Sequence, residues 1–364
     1  MAATSYSVNH ALAVKLWGKV LFREVLKGTD VGKFIGMDSN SLIQVRMEAN
    51  KEAGDRITQG LRMQLTGAGV SGDGTMEGNE EELVLFSDNI FIDQLRQAVR
   101  SAGKMTEQRV TFSIREEARM GLQDWWMDRL ATSFFNQGTG NVAQTDIRFT
   151  GMQAAITADA SHAFVAGTGF TAGANVMATL SDTASDKMQL THIDNIVAQA
   201  KTLTPIIRPV ETMGVGKVHV MFLHPFQVKD LRTTSGTGTW QDLQKAALMG
   251  GQISKNPLFT GALGMYNNVV LHEDSRIPLG SDNGGTSVAN TRMALFCGAQ
   301  AVALAMGQRY SVGKEGFRMS WEEELFDYGN QYGTAAGMIF GMKKLVFNGL
   351  DFSTIRCATF AAAP

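Results

Sequence analysis

Cysteine, proline and net charge are all scarce in this chain of 364 residues. Its two cysteines are Cys297 and Cys357, and Cys297 lies inside the apolar run Met293–Gly298. We interpret Cys297 as a small buried residue of a protein kept in a reducing compartment, rather than as a reactive thiol. The 33 basic and 35 acidic residues give a net charge of −2, which argues against tight binding to nucleic acid over a large surface. A protein that only encloses nucleic acid remains compatible with this balance.

Long apolar runs are also missing from the sequence. No run approaches the roughly 20 apolar residues that a membrane span needs. The N-terminus has no basic start followed by an apolar core, so no secretory signal is visible. We therefore expect no membrane contact and a cytosolic place of synthesis. With 44% hydrophobic residues the chain can bury a real core, and its length favours two or three domains.

The six prolines divide the chain by their positions. None precedes Pro205, five lie between residues 205 and 278, and the last is Pro364. Prolines are therefore concentrated in the middle segment, which indicates that this segment is a separate domain.

A long hairpin followed by a long helix is the most informative pattern present. Alternating apolar residues predict one strand arm over 57–65 and a second arm from Leu83 to Ile92. Between the arms lies a glycine-rich tip with Gly67, Gly69, Gly72, Gly74 and Gly78. A two-stranded ribbon is marginally stable alone, so this one must lie on something else. If its own chain cannot cover it, the partner is another molecule.

The helix over 114–136 is the best-defined predicted element. Ser113 and Glu116 form a capping box at its start, and Gly138 and Gly140 are predicted to end it. One apolar ridge repeats every four residues, and its members are Ile114, Ala118, Leu122, Trp126, Leu130 and Phe134. We interpret this helix as a scaffold strut, with Trp125 and Trp126 in core and edge packing rather than as a ligand platform.

The remaining elements are predicted from shorter patterns. Residues 9–26 form an amphipathic helix, and 150–190 form a loop or irregular connection. Alternating helices and strands then indicate a compact α/β domain, with helices at 191–202, 225–231 and 240–248 and strands at 218–223, 269–271 and within 293–305. Strand character returns at 317–325, 338–342 and 345–347.

The candidate catalytic and cofactor motifs lack the neighbouring sequence or the spacing that their chemistry requires. Residues 67–72 match a dinucleotide-binding glycine pattern by letter, but 73–78 cannot open the helix that such a site requires. Residues 307–314 resemble a phosphate loop with the wrong spacing. No cysteine–histidine cluster has zinc spacing, so we expect no cofactor and no metal.

Two clusters of titratable residues stand out. His272, Glu273 and Asp274 follow a short strand and would be the only plausible acid–base set of an enzyme, although a solvated turn is favoured. The run 322–324 with Asp327 is interpreted as a solvent face or as a partner for arginines across an interface.

The order of these features resembles that of the major capsid proteins of tailed bacteriophages, with the Hong Kong 97-type fold. The similarity is greatest to a branch of short-tailed and related phages, and it spans about residues 40–280. The segments that carry it are 41–44, 53–57 with 61–65, 77–81, 93–96, 113–118, 191–194, 223–225 and 256–264.

The resemblance implies an α+β fold with four parts. These are an N-terminal arm at 1–52, an extended loop at 53–92, a peripheral domain at 93–190 and 301–364 with its spine helix at 113–136, and an α/β axial domain at 191–300. It also implies a structural subunit, not an enzyme, that self-assembles into an icosahedral shell around double-stranded DNA. Copies would gather as pentamers and hexamers in the host cytoplasm and reside in the virion. Scaffolding, portal and decoration proteins would be separate chains, because the N-terminus is too short for a scaffolding segment.

Contact between subunits is expected at the hairpin and at the start of the spine helix. The candidate residues are Arg56, Arg62, Gly67, Gly69, Gly72, Gly74, Gly78, Glu80, Glu81, Arg115, Glu116 and Glu117. The tip 66–81 contains no lysine, which gives no support for the lysine–asparagine bond that joins subunits in some relatives. A bacterial nanocompartment shell, a phage tail or decoration protein, and an α/β enzyme are the alternatives.

Overall fold

The protein is seen in a computed structural model that describes residues 21, 24–25, 31–46, 54–62, 65, 67–171, 177–212, 216–233, 264–282, 284–307 and 319–363, without the side chains of 62 and 212. The predicted helix 240–248 lies outside the described residues. Of the predicted helix 9–26, residues 21, 24 and 25 are described, and all three are helical.

The helices and strands are numbered here in chain order. The helices are α1 (Lys104–Arg109), α2 (Ile114–Thr139), α3 (Leu190–Thr202) and α4 (Pro225–Thr233). The first strands are β1 (Ile35–Gly36), β2 (Ile43–Arg46), β3 (Arg56–Arg62), β4 (Leu85–Phe91), β5 (Asp93–Arg100), β6 (Ala163–Val165), β7 (Gly169–Phe170), β8 (Val210–Thr212), β9 (Gly216–Leu223) and β10 (Gly264–Tyr266). The later strands are β11 (Val269–Glu273), β12 (Gly280–Ser281), β13 (Ser287–Val288), β14 (Thr291–Cys297), β15 (Val302–Met306), β16 (Ser320–Phe326), β17 (Gln331–Lys344), β18 (Val346–Phe347), β19 (Leu350–Asp351) and β20 (Thr354–Phe360).

The first sheet is organised around the long strand β17. Strands β16 and β15 pair with successive parts of one edge of β17, and β5 pairs with the opposite edge. Strands β2 and β1 continue the sheet beyond β15. Because β4 runs into β5 with only Ile92 between them, the hairpin β3–β4 is an extension of this sheet's edge.

The second sheet has the strand order β10-β11-β9-β14-β20-β6-β7, with β8 paired to β9. Its central strands are buried along most of their length, and α3 and α4 contribute to the core on one face. The C-terminal strand β20 and the short strands β6 and β7 thus belong to the same sheet as β9 and β14.

Helix α2 links the two sheets. Trp126 packs edge-on against Phe340 of β17, with ring centroids 6.1 Å apart. Near the other end of the helix, Phe134 lies 5.6 Å from Phe222 of β9. A helix of 26 residues spans about 39 Å, which is long enough to reach both. The predicted strut is confirmed, and Trp126 is fully buried as expected.

The C-terminal end of α2 differs from the prediction. Gly140 adopts the left-handed conformation with φ 67° and ends the helix, as expected for a glycine cap. Gly138, however, lies inside the last turn. A Cβ there would come within 2.5 Å of Leu295 Cδ2 on β14. Gly138 is therefore explained by the close approach of the helix to the second sheet, and its prediction as a terminator was wrong.

The segment 150–190 is mostly irregular, but it also contains β6 and β7. The expected irregular connection is therefore right for most of the segment and misses two strands. Residues 163–165 gave no strand signal because they are only three residues long and are buried on both faces, so they show no alternation.

No helix among the described residues is long and apolar enough to cross a membrane.

Candidate intersubunit surfaces

The base of the hairpin is seated on its own subunit. Ile57 and Ile90 are buried in a cluster with Ala303, Ala305 and Leu345. This cover agrees with the expectation that a ribbon cannot stand alone. The lower part of the arm is therefore part of the subunit's own fold.

Polar contacts fix the same region. Asp88 accepts a hydrogen bond from the backbone N–H of Val346 at 3.2 Å and forms an ion pair with Lys343. The Lys343 ammonium also donates to the carbonyl of Asn89 at 3.0 Å. The carbonyl of Phe91 lies so close to Gly341 that no Cβ would fit there. These contacts determine the direction in which the hairpin leaves the sheet.

The paired arms are shorter than predicted. The register runs from Arg56 opposite Phe91 to Arg62 opposite Leu85, whereas the sequence predicted a first strand to residue 65 and a second from Leu83. Residues 63 and 64 lie outside the described residues, and 65, 83 and 84 are not in strands. The guanidinium of Arg56 lies 4.5 Å from the centre of the Phe91 ring. Beyond this ladder, 67–84 contains no strand, and we call these residues the tip loop.

Two glutamates hold the tip loop in shape. Glu81 accepts a hydrogen bond from the Gly67 N–H at 2.6 Å, and Glu80 accepts one from the Gly78 N–H at 2.7 Å. Gly69, Gly72 and Gly78 have φ values of 71°, 66° and 89°, a region that L-residues with side chains rarely adopt. Glu80 and Glu81, proposed as contact residues, therefore also organise the loop.

The surface of the tip loop is acidic and partly apolar. Asp73, Glu77 and Glu82 are exposed and have no side-chain partner within the described parts of the chain. Met76 is 60% exposed and Leu83 50%, and the loop contains no lysine or arginine. Large apolar side chains exposed on one loop are typical of a contact surface.

The start of α2 carries the other candidate residues. Ser113 Oγ accepts from the Glu116 N–H at 3.4 Å, which confirms the Ser113 half of the predicted capping box. Glu116 and Glu117 are exposed in the first turn, where negative charge stabilises a helix.

Arg115 is already engaged within its own subunit. Its guanidinium donates to both carboxylate oxygens of the buried Glu323, at 2.8 Å each, and Glu323 also accepts from Trp321 Nε1 at 2.8 Å. Burial lowers the pKa of Arg115, but hydrogen bonds and charge interactions with Glu323 and Tyr332 together raise it more, so the net pKa lies above its usual value. The Arg115 side chain is still 44% exposed. Glu323 is therefore not part of a solvent-exposed face, and its carboxylate is already paired with Arg115 of the same subunit.

The acid–base triplet does not converge. His272 and Glu273 are consecutive in β11 and so point to opposite faces. Burial, and then Lys33, lower the pKa of His272 to about 4. Asp274 is buried and accepts from the backbone N–H of Arg276 at 2.8 Å, so the expectation of a solvated turn was wrong for this residue. Across the described residues no group of three or more histidine, cysteine, aspartate and glutamate side chains could hold a metal ion.

A family model for phage capsid proteins matches residues 5–363. This chain belongs to the phage capsid protein family. It is a structural subunit of a phage shell, and the comparisons favour this role over a nanocompartment shell, a tail protein or a decoration protein. It is 28% identical over 350 residues to the major capsid protein of Pseudomonas phage KPP25, covering 91% of this chain and 89% of that protein.

Solved phage capsids share its fold. The capsid of Ralstonia phage GP4 is 31% identical with a TM-score of 0.76, covering 100% of this chain and 96% of that one. The capsid of cyanophage Pam1 is 20% identical with a TM-score of 0.72, covering 100% and 95%. The expected Hong Kong 97-type α+β fold is confirmed.

The structure of this capsid protein groups the candidate contact residues in two places, the hairpin with its tip loop and the start of α2. Sequence reasoning missed a third exposed place, the β16–β17 turn with Tyr328. The available signal was the run Asp327–Asn330 between two strands, which is typical of a tight turn.

Proposed function

We propose that copies of this capsid protein gather as pentamers and hexamers, and that the tip loop of each copy lies on a neighbouring subunit. The observation that carries this is the contrast within one hairpin. Its base packs against β15 and is hydrogen-bonded to β17 and β18, whereas the tip loop exposes Met76 and Leu83 together with acidic residues. A rigid base with an uncovered tip is what an arm toward another copy requires.

The glycines of the tip loop would let the same sequence adopt different conformations in pentamers and in hexamers. Pentamers and hexamers place the neighbouring subunit at different angles, and heterologous contacts close both rings. Gly69, Gly72 and Gly78 have open space around the Cβ position, so the loop can bend there without a steric clash.

The shell would enclose double-stranded DNA without reading its sequence. The net charge of −2 leaves little capacity for the phosphate neutralisation on which tight binding depends. Assembly would take place in the host cytoplasm with separate scaffolding, portal and decoration proteins, and the subunit itself would have no catalytic activity.

We retain the four-part division with an arm at 1–52, an extended loop at 53–92, a peripheral domain at 93–190 and 301–364, and an axial domain at 191–300. The hairpin supports the second part. Strand β20 pairs with β14 and β6, so this division has the peripheral segments contributing strands to the axial sheet.

Deletion of 67–78 tests the arm. The truncated subunit should remain folded, because every paired residue of β3 and β4 is kept, and it should assemble poorly. Circular dichroism and electron microscopy of the concentrated protein measure the two properties. Normal particles from the truncated protein would contradict the proposal.

A milder pair of variants separates contact from loop length. Met76→Ser removes an exposed apolar group from the tip loop, and Met265→Ser removes a comparable one from β10. The first should slow assembly more than the second, as followed by light scattering. Equal rates would show that the loop makes no special contact.

A further inference from the structure

The turn between β16 and β17 contains a tyrosine that is fully exposed and has a positive φ. Tyr328 has a relative exposure of 108%, so none of the described residues of its own subunit covers it. Asp327, Tyr328 and Gly329 have φ values of 51°, 51° and 81°. Aspartate and glycine tolerate this left-handed region, but a bulky side chain there is an outlier that strains the backbone. A tyrosine that is both strained and uncovered points to a role outside the subunit.

The backbone of the turn is held rigidly. Gly329 N–H donates to the carbonyl of Phe326 at 3.1 Å, and Asn330 N–H donates to the carbonyl of Asp327 at 2.9 Å. The side chain of Asn330 accepts from the N–H of Lys104 at 3.3 Å, which connects the turn to α1. The Tyr328 ring is therefore presented from a fixed support, and such preorganisation lowers the entropy cost of binding.

A groove of about 330 Å³ lies directly beside the turn, between α1 and the start of α2. Its apolar lining includes Phe112, Ile114 and Leu325, of which Phe112 is 56% exposed. Lys104 and Glu107 lie on its rim, and within the described chain neither side chain has an ionic or hydrogen-bond partner. The groove is thus partly apolar, with Lys104 and Glu107 at its edge, and its lining also includes Arg115, which is paired with Glu323.

We propose that Tyr328 of one copy inserts into this groove of a second copy of the chain. The ring fits the apolar lining, its hydroxyl can donate to the Glu107 carboxylate, and Asp327 brings a negative charge to the Lys104 ammonium. Tyrosine is enriched among the residues that dominate interface energetics, and one buried ring covers 150–250 Å².

The position of the two features favours a second copy as the occupant. Gly329 and Asn330 line the wall of the groove, so Tyr328 stands immediately outside its own groove without filling it. In a ring of copies that contact each other through the β16–β17 turn and the groove, the tyrosine of each copy can enter the groove of the next. Such a heterologous contact can close into a ring. This contact is separate from that of the tip loop and requires only that copies assemble into a shell.

Photocrosslinking tests the contact directly. Benzoylphenylalanine in place of Tyr328 keeps an aromatic ring at the turn and reacts with whatever surrounds it. Irradiated particles should give covalent oligomers on denaturing gels, with the adduct in the peptide 104–115, and unassembled subunits should give none. Particles without crosslinked oligomers, or adducts that map elsewhere, would overturn the proposal.

Two substitutions provide a second readout. Tyr328→Phe keeps the ring, whereas Tyr328→Asn removes it and relieves the strained backbone. The concentration needed for half-maximal assembly should rise about tenfold for Tyr328→Asn and much less for Tyr328→Phe. Unchanged assembly of Tyr328→Asn refutes the contact, and it leaves the deletion test of the tip loop unaffected.

Discussion

A buried ion pair at the junction of the two sheets allows a quantitative test of the structure. Lys344 ends β17, its ammonium lies 2.8 Å from Asp351 Oδ2, and both side chains are almost fully buried. Asp159 accepts from the Asp351 N–H at 2.8 Å and pairs with His162 Nδ1 at 2.8 Å. Burial lowers the pKa of Lys344 and raises that of Asp351, so each residue depends on the other for its charge.

Asp351→Asn should lower the free energy of unfolding by about 3–5 kcal/mol at pH 7, because it leaves an uncompensated buried lysine. An upper limit comes from the alternative, in which the lysine loses its proton. Deprotonation at pH 7 of a lysine whose pKa in the unfolded chain is near 10.4 costs about 5 kcal/mol, at 1.36 kcal/mol per pKa unit. Lys344→Met should cost a similar amount, since it leaves Asp351 alone. The double variant Lys344→Met with Asp351→Leu should lose much less than the sum, because neither member of the pair is left buried without its partner.

Urea unfolding of the unassembled subunit measures these free energies. The pH dependence adds a sign test for Asp351→Asn. If the folded variant keeps Lys344 neutral while the unfolded chain binds the proton, stability rises with pH by up to about 1.36 kcal/mol per unit until pH 10. A loss below about 1 kcal/mol for both single variants, with no such slope, would show that water reaches the pair and would refute its burial.

Three other substitutions test the local structure. His272→Phe should flatten the stability profile between pH 6.5 and 4, because the folded pKa of about 4 makes the unfolded chain bind the proton first as pH falls; an unchanged profile would contradict a neutral, half-buried His272. Ser113→Ala should cost about 1 kcal/mol through loss of the α2 cap, measured by urea unfolding against wild type. Gly138→Val should cost more, because its side chain would meet Leu295; a neutral effect would mean that α2 lies farther from β14.

Local patterns predicted α2 well because its signals are all nearby in the chain. The cap at Ser113 and the ridge from Ala118 to Phe134 are spaced by the helix itself. The role of Gly138 could not be predicted in this way, since it depends on contact with Leu295, more than 150 residues away in sequence. The pairing of β20 with β14 is equally non-local.

The candidate surface was predictable in its location but not in its detail. The glycines indicated a flexible tip, and alternation indicated the arms. The sequence could not show that Ile57 and Ile90 seat the base on β15, nor that Glu323 engages Arg115. Both contacts join residues that only the folded chain brings together.

The most direct test of the account is a reconstruction of the assembled particle by electron cryomicroscopy. The account predicts that residues 67–84 of each subunit lie on a neighbouring subunit, with Met76 and Leu83 covered. A tip loop that faces solvent or folds back onto its own subunit in the particle would contradict it.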